Sequence, residues 1–160
     1  MAWVRCCGGG IPKPKYIFKD GVLRVAMNAY AYKASGDSGS PMSGSIGISP
    51  EGYLNLAQGG DSYGITSYIT DAIDLTNISG IRIKIQGDNG YVNGFYCYVT
   101  NAIQNNYTKE VSYSVAQPRA GAVINLNVAT LTGNHYLAFE MNTANTYYKQ
   151  VQILEIELIP

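Results

Sequence analysis

The run Ile81-Arg82-Ile83-Lys84-Ile85-Gln86 alternates apolar and polar residues without a break. Successive side chains of a strand point to opposite faces, so this run folds comfortably in one way, with the isoleucines on one face and Arg82, Lys84 and Gln86 on the other. A helix would scatter the isoleucines around its circumference. The same period returns where Phe95, Cys97 and Val99 alternate with Tyr96, Tyr98 and Thr100, and where Ile124, Leu126 and Val128 alternate with Asn125 and Asn127. No segment of about ten or more residues carries a 3.6-residue apolar period. The chain is therefore expected to be all-β.

Turn chemistry divides the rest. Lys19-Asp20-Gly21 follows Tyr16-Ile17-Phe18, and Asp-Gly predicts a tight hairpin returning through Val22 to Tyr32. Ser49-Pro50-Glu51-Gly52 predicts a second hairpin between Ile46–Ile48 and Tyr53–Ala57. The stretch Ala34 to Ser45 is small and polar and reads as a loop, as does Gln58 to Ser62. Further β segments are expected over Tyr63 to Ile73, Val111 to Val115, Ala122 to Val128, Tyr136 to Asn142 and Val151 to Leu158. Short strands with frequent turns and no fixed repeat favour an antiparallel two-sheet β-sandwich over a propeller or solenoid, with a closed barrel as the alternative. Residues 1–15 are rich in Gly and Pro without apolar periodicity and read as a flexible N-terminal arm; residues 16–160 form the sandwich domain.

With 160 residues the chain suits one domain. Charged residues make up 14%, with Lys+Arg 11 against Asp+Glu 11, so the formal net charge is zero. That balance speaks against a nucleic-acid or anionic-membrane partner, which calls for an excess of basic groups; it removes long-range self-repulsion and permits a homo-oligomer. No apolar run approaches the roughly 20 residues of a membrane span, and the N-terminus lacks a secretory apolar core. Three cysteines, two of them the adjacent Cys6 and Cys7, make no disulfide framework. The 14 tyrosines stand out beside 3 phenylalanines and 1 tryptophan. A ring with a polar tip suits half-buried strands and wet recognition surfaces.

The candidate catalytic groups do not assemble into a reaction. Gly36-Asp37-Ser38-Gly39-Ser40-Pro41 looks like a serine-protease nucleophile loop, yet no histidine precedes Ser38, and it is read as a Gly/Ser loop. His135, after Gly133-Asn134, is expected as a turn-exposed imidazole, too far from Cys6 and Cys7 in sequence for a zinc site. Glu155 and Glu157 are one strand period apart, and Glu140 has no visible partner for glycoside hydrolysis. No catalytic residue, metal ligand or cofactor is assigned; Asp71 and Asp74, or Asp61, are the oxygen donors for a structural Ca²⁺ if there is one. Tyr113, between Val111 and Val115, is expected in the core. The polar strand faces supply the binding candidates: Tyr30 and Tyr32; Arg82, Lys84 and Gln86; Tyr96 and Tyr98; Asn125 and Asn127. If these strands share one sheet, they form aromatic rings bordered by amide and cationic donors, a surface suited to a sugar.

The stretch Ile73-Asp74-Leu75-Thr76-Asn77 with Ile81 to Ile85 resembles the entry strand of jelly-roll modules of the galactose-binding, carbohydrate-binding type. Ile124 to Phe139 is similar to a later passage of such modules, and Val151 to Leu158 to their final strand. The resemblance covers roughly residues 65–160 and implies a jelly-roll, galactose-binding-like scaffold. The N-terminal Trp3-Val4-Arg5-Cys6-Cys7-Gly8 resembles the start of domains in tail and baseplate-associated proteins of phages and prophages of gut Gram-positive bacteria. The expected function is a non-enzymatic module recognising carbohydrate or a cell-surface glycan, in a virion or extracellular setting such as a tail or host-attachment apparatus. The rival expectation is a structural or assembly protein whose tyrosine-rich face meets other virion or surface-complex subunits.

Overall fold

The computed structural model describes residues 16–25, 33–36, 44–58, 64–69, 72–87, 92–102, 108–115, 122–143 and 149–160. Within them the chain forms only strands: β1 (Tyr16–Lys19), β2 (Val22–Val25), β3 (Lys33–Gly36), β4 (Gly44–Ile48), β5 (Leu54–Gln58), β6 (Gly64–Ile69), β7 (Ile73–Asp74), β8 (Gly80–Gly87), β9 (Val92–Thr100), β10 (Lys109–Val115), β11 (Ala122–Asn127), β12 (Asn134–Thr143) and β13 (Lys149–Ile159). Every pairing is antiparallel. Both predicted hairpins form. Asp20 and Gly21 have φ of 55° and 75°, the positive values that a two-residue hairpin turn matched to strand twist requires. In the second hairpin Ser49 N–H donates to the Tyr53 carbonyl at 2.8 Å and Gly52 N–H to the Ser49 carbonyl at 2.9 Å.

The strands make two sheets. A seven-stranded sheet contains β1, β2, β13, β5 and β4, with β8 on the other edge of β13 and β11 beside β8. A six-stranded sheet runs β10-β9-β12-β6-β3, with β7 pairing the start of β12. The chain is thus an antiparallel two-sheet sandwich, as the alternation predicts, and not a closed barrel.

Between the sheets lies one core. Ile81, Ile83, Ile85, Ile124, Leu54 and Leu56 reach it from the larger sheet, and Phe95, Cys97, Leu137, Phe139 and Met141 from the smaller. The rings of Phe95 and Phe139 meet at a centroid distance of 6.1 Å with planes 20° apart. Ile73, Leu75, Ile78 and Val128 close one end. There Leu75 N–H donates to the Gly133 carbonyl at 2.9 Å, and the Asp74 carboxylate accepts from Thr76 N–H at 2.9 Å.

Cys97 belongs to this core, and burial pushes its thiol well above the usual range. The thiolate, which is the reactive form, is suppressed there. In a Cys6→Ser, Cys7→Ser background, Cys97 is expected to resist a thiol reagent in native buffer and to titrate fully in denaturant; rapid native labelling would contradict the packing. Phe139→Ala should cost about 3–5 kcal/mol of unfolding free energy by urea titration, the range for truncating a buried phenylalanine.

Candidate functional site

The sequence-predicted binding residues divide between the two sheets. Arg82, Lys84 and Gln86 lie on β8, and Asn125 and Asn127 on β11, all on the outer side of the larger sheet. Tyr96 and Tyr98 lie on β9 of the smaller sheet. The strands are not neighbours in one sheet, so the single surface expected from sequence does not form. Tyr30, Tyr32, Asp61, Asp71, Ser38 and the arm with Cys6 and Cys7 lie outside the described residues.

The outer side of the larger sheet pairs internally. Arg24, Glu157, Arg82 and Asn125 stand opposite one another across β2, β13, β8 and β11, and Glu155 stands opposite Lys84. Arg24 donates to Glu155, Arg82 to Glu157, and Lys84 Nζ lies 2.6 Å from Glu155 Oε2 and 3.5 Å from Glu157 Oε1. The Glu157 side chain is only 3% exposed, against 44% for Arg82 and 41% for Lys84. Next to this row, Gln152 Nε2 donates to Asn55 Oδ1 at 2.9 Å, and Gln86 is the other register partner of Gln152. Asn127 turns back to accept from Ala129 N–H at 3.1 Å. The charged groups of this row satisfy each other, and such cross-strand pairs help hold β2, β13 and β8 in register.

The outer side of the smaller sheet is different. Tyr96 and Tyr98 project from it with parallel rings, centroids 6.2 Å apart and planes 8° apart. Lys109 Nζ sits 3.7 Å from the Tyr98 ring centroid, a cation–π contact. Lys109 pairs with Thr100, two residues beyond Tyr98, whereas Tyr96 lies two residues before it. The ammonium and the Tyr96 ring therefore flank Tyr98 from opposite sides. The next position of the same alternation on β9 past Tyr96 is Gly94, the register partner of Asn142.

Tyr98 is 6% exposed and packs with Ala138, Tyr96 and Tyr136 into a small apolar cluster on this face. It faces outward as alternation requires, but it serves as the base of the face. Ser112 and Ser114 on β10 stand opposite Tyr98 and Tyr96 and are exposed. On β12, Glu140 stands opposite Tyr96. Burial pushes the Glu140 carboxyl above its ordinary value, an effect that the charge of Lys109 only partly opposes. Sequence reasoning treated Glu140 only as a hydrolytic candidate without a partner; its membership of the Tyr96 face depends on β12 lying beside β9, which periodicity does not reveal.

Two further expectations change. His135 is 8% exposed rather than turn-exposed: its Nε2 lies 2.9 Å from Glu110 Oε2 and its Nδ1 3.1 Å from the Gly133 carbonyl. Tyr113 stands opposite the buried Cys97 and so faces the core side, but it is 42% exposed because β10 is an edge strand. Among the described residues no cluster of three or more His, Cys, Asp or Glu is placed to hold a metal ion. No helix there is long and apolar enough to cross a membrane.

No protein-family model matches the sequence, and no curated protein matches it. Solved structures do. A structure described as showing the basis of promiscuous specificity in carbohydrate-binding modules of the β-sandwich superfamily aligns over 80% of this chain at TM-score 0.57 and 10% identity. The chain spans 56% of that structure's length. The K2 cleaved adhesin domain of Lys-gingipain aligns over 80% of this chain and 89% of its own at TM-score 0.52 and 10% identity. A family 11 carbohydrate-binding module from Clostridium thermocellum aligns over 79% of this chain and 87% of its own at TM-score 0.49 and 16% identity. The likeness is one of fold. The chain is a jelly-roll β-sandwich of the kind seen in carbohydrate-binding modules.

The paired face supplies two predictions. Burial would raise the Glu155 carboxyl, but hydrogen bonds from Lys84 and Arg24 outweigh it and hold the group down at about 2, against an ordinary 4.5. Its folded value is depressed, so its contribution to stability is complete above pH 4.5 and is lost as pH falls towards about 2. The urea midpoint of the wild type should fall more steeply across that window than that of Glu155→Gln. Glu157→Ala should cost about 3 kcal/mol in the same titration, the low end for breaking a buried pair because its cationic partners reach water.

Proposed function

We propose that the protein is a non-catalytic carbohydrate-binding module whose ligand face is the outer side of the six-stranded sheet, centred on Tyr96. The observation that carries this reading is an outward aromatic ring, partly exposed and stacked beside Tyr98, standing opposite the half-buried carboxylate of Glu140. A sugar presents an apolar C–H face and a rim of hydroxyls; Tyr96 offers the ring to stack on, and Glu140, Ser112 and Ser114 offer hydrogen-bonding groups at its border. The fold likeness to carbohydrate-binding modules supports the reading. The carboxylates favour binding over hydrolysis: Glu155 and Glu157 are engaged by cations on the opposite sheet, and Glu110 is engaged by His135. For the setting, a tail or host-attachment apparatus, the support is the resemblance of residues 3–8 alone.

Calorimetry against soluble xylan, mixed-linked β-glucan and galactan tests the reading. Binding to at least one is expected, with Tyr96→Ala weakening it tenfold or more, about 1.4 kcal/mol, while the thermal midpoint shifts by no more than a few degrees. Absence of binding at millimolar sugar, together with a stable oligomer by light scattering, would replace this reading with that of an assembly protein.

A further inference from the structure

We infer that Glu140 is the hydrogen-bond acceptor that receives the ligand's hydroxyls, and that it makes the Tyr96 face selective for neutral glycans over acidic ones. The inference rests on the Tyr96 face being the carbohydrate site.

The five glutamates of the chain all lie among the described residues, and four are engaged. Glu155 and Glu157 are ion-paired with Arg24, Arg82 and Lys84, Glu110 meets His135, and Glu51 is hydrogen-bonded by Ser49. Glu140 is the exception: among the described residues no donor hydrogen-bonds to it and no cation pairs with it at contact distance. It is nonetheless half-buried on the rim of an apolar cluster. Lys109, the cation whose charge reaches it, is already seated on the Tyr98 ring, on the side away from Tyr96. A carboxylate stripped of part of its water without protein donors carries an uncompensated cost.

A ligand can supply those donors. Directly opposed residues of an antiparallel pair have Cβ atoms about 4.5–5.5 Å apart, so a sugar stacked on Tyr96 brings its rim to Glu140. An ionised carboxylate accepts from two adjacent hydroxyls, and hydrogen bonds to a charged acceptor are the stronger kind. A uronic acid would instead set a second carboxylate beside a desolvated first one, and the like charges would repel where water screens them least. The face therefore rejects acidic polymers by charge and accepts hydroxyl-rich neutral ones.

The same arrangement makes binding pH-dependent. Among the described residues, the groups around Glu140 are Tyr96 and Tyr98 on β9, Lys109 on β10 and Tyr136 on its own strand; Ser67 of β6 is its other register partner, and Lys33 of β3 is the register partner of Ser67. Protonation turns the carboxylate from a double acceptor into a weaker donor–acceptor, so affinity should fall as the solution is acidified. Burial starts that fall at a higher pH than for an ordinary glutamate.

The test compares wild type with Glu140→Gln, using xylan and mixed-linked β-glucan as neutral probes and polygalacturonate as the acidic one. Expected are neutral binding without polygalacturonate binding in the wild type, a tenfold or greater loss of neutral affinity in Glu140→Gln at pH 7, and a decline from pH 7 to 4 that the variant does not share. Glu140→Gln should also leave the thermal midpoint at pH 7 unchanged or raised, since it removes a desolvated charge; a purely structural Glu140 would lower it. Equal binding of polygalacturonate, or neutral affinity undiminished in Glu140→Gln, overturns the inference and leaves the carbohydrate reading standing. Failure of the wild type to bind any neutral probe overturns both.

Discussion

The register of β13 is the constraint on which the larger sheet depends. One edge of this strand pairs with β8 along nearly its whole length; the other takes β5 along its first half and β2 near its end. Slipping a strand by one residue exchanges its two faces, and β13 makes such a change of phase at Leu154, where the pairing with β8 shifts between Ile153 and Glu155. Before it, Val151 and Ile153 face the core; after it, Ile156 and Leu158 do. Were Leu154 paired regularly instead of bulged, either the first pair would leave the core or Glu155 and Glu157 would enter it. The bulge lies where the neighbouring strand changes from β5 to β2, and the added bend and twist of a bulge suit that handover.

The two outer faces then acquire opposite characters from similar sequence patterns. Both come from strands that alternate apolar with polar residues. On the larger sheet, cations of β2 and β8 meet carboxylates of β13, so these charged groups find partners within the protein. On the smaller sheet, β9 contributes rings, β10 contributes serines and Lys109, and β12 contributes alanine and Glu140. Lys109, the cation whose charge reaches Glu140, sits over a ring. A face whose polar groups are mutually satisfied gains little from a ligand, whereas a half-buried acceptor without donors gains much. That contrast supports the proposed division, with structural work on one face and recognition on the other.

Much of this was legible in the sequence, and the remainder fails for identifiable reasons. The Ile81 to Gln86 alternation, the Asp20-Gly21 turn and the Ser49 to Gly52 turn are local, and each forms as read. Alternation reports which face a residue takes, not how exposed that face is. Tyr98 points outward yet lies beneath its neighbours, and Tyr113 points inward yet meets solvent at a sheet edge. Sheet membership is less legible still. Arg82 and Tyr96 come from consecutive strands, but β8 joins one sheet and β9 the other, a choice made by pairing with strands distant in sequence. The expected shared surface of tyrosines, amides and cations failed on that point alone.

The same non-local logic explains how an edge strand can help build the Tyr96 face. Among the described residues β10 pairs with one neighbour, β9, and an edge strand held by backbone bonds alone would fray or shift. Its pairing with β9 is irregular between Lys109 and Val111, and the two residues at that irregularity are the ones that fasten it. Lys109 reaches onto the Tyr98 ring of β9, and Glu110 reaches His135 on β12, two strands away. A bulge re-aims neighbouring side chains, and here the adjacent pair engages different strands. With that end pinned, Ser112 and Ser114 hold their places opposite Tyr98 and Tyr96. The buried histidine, unassigned in any chemistry, thus acts on the Tyr96 face through the strand it anchors.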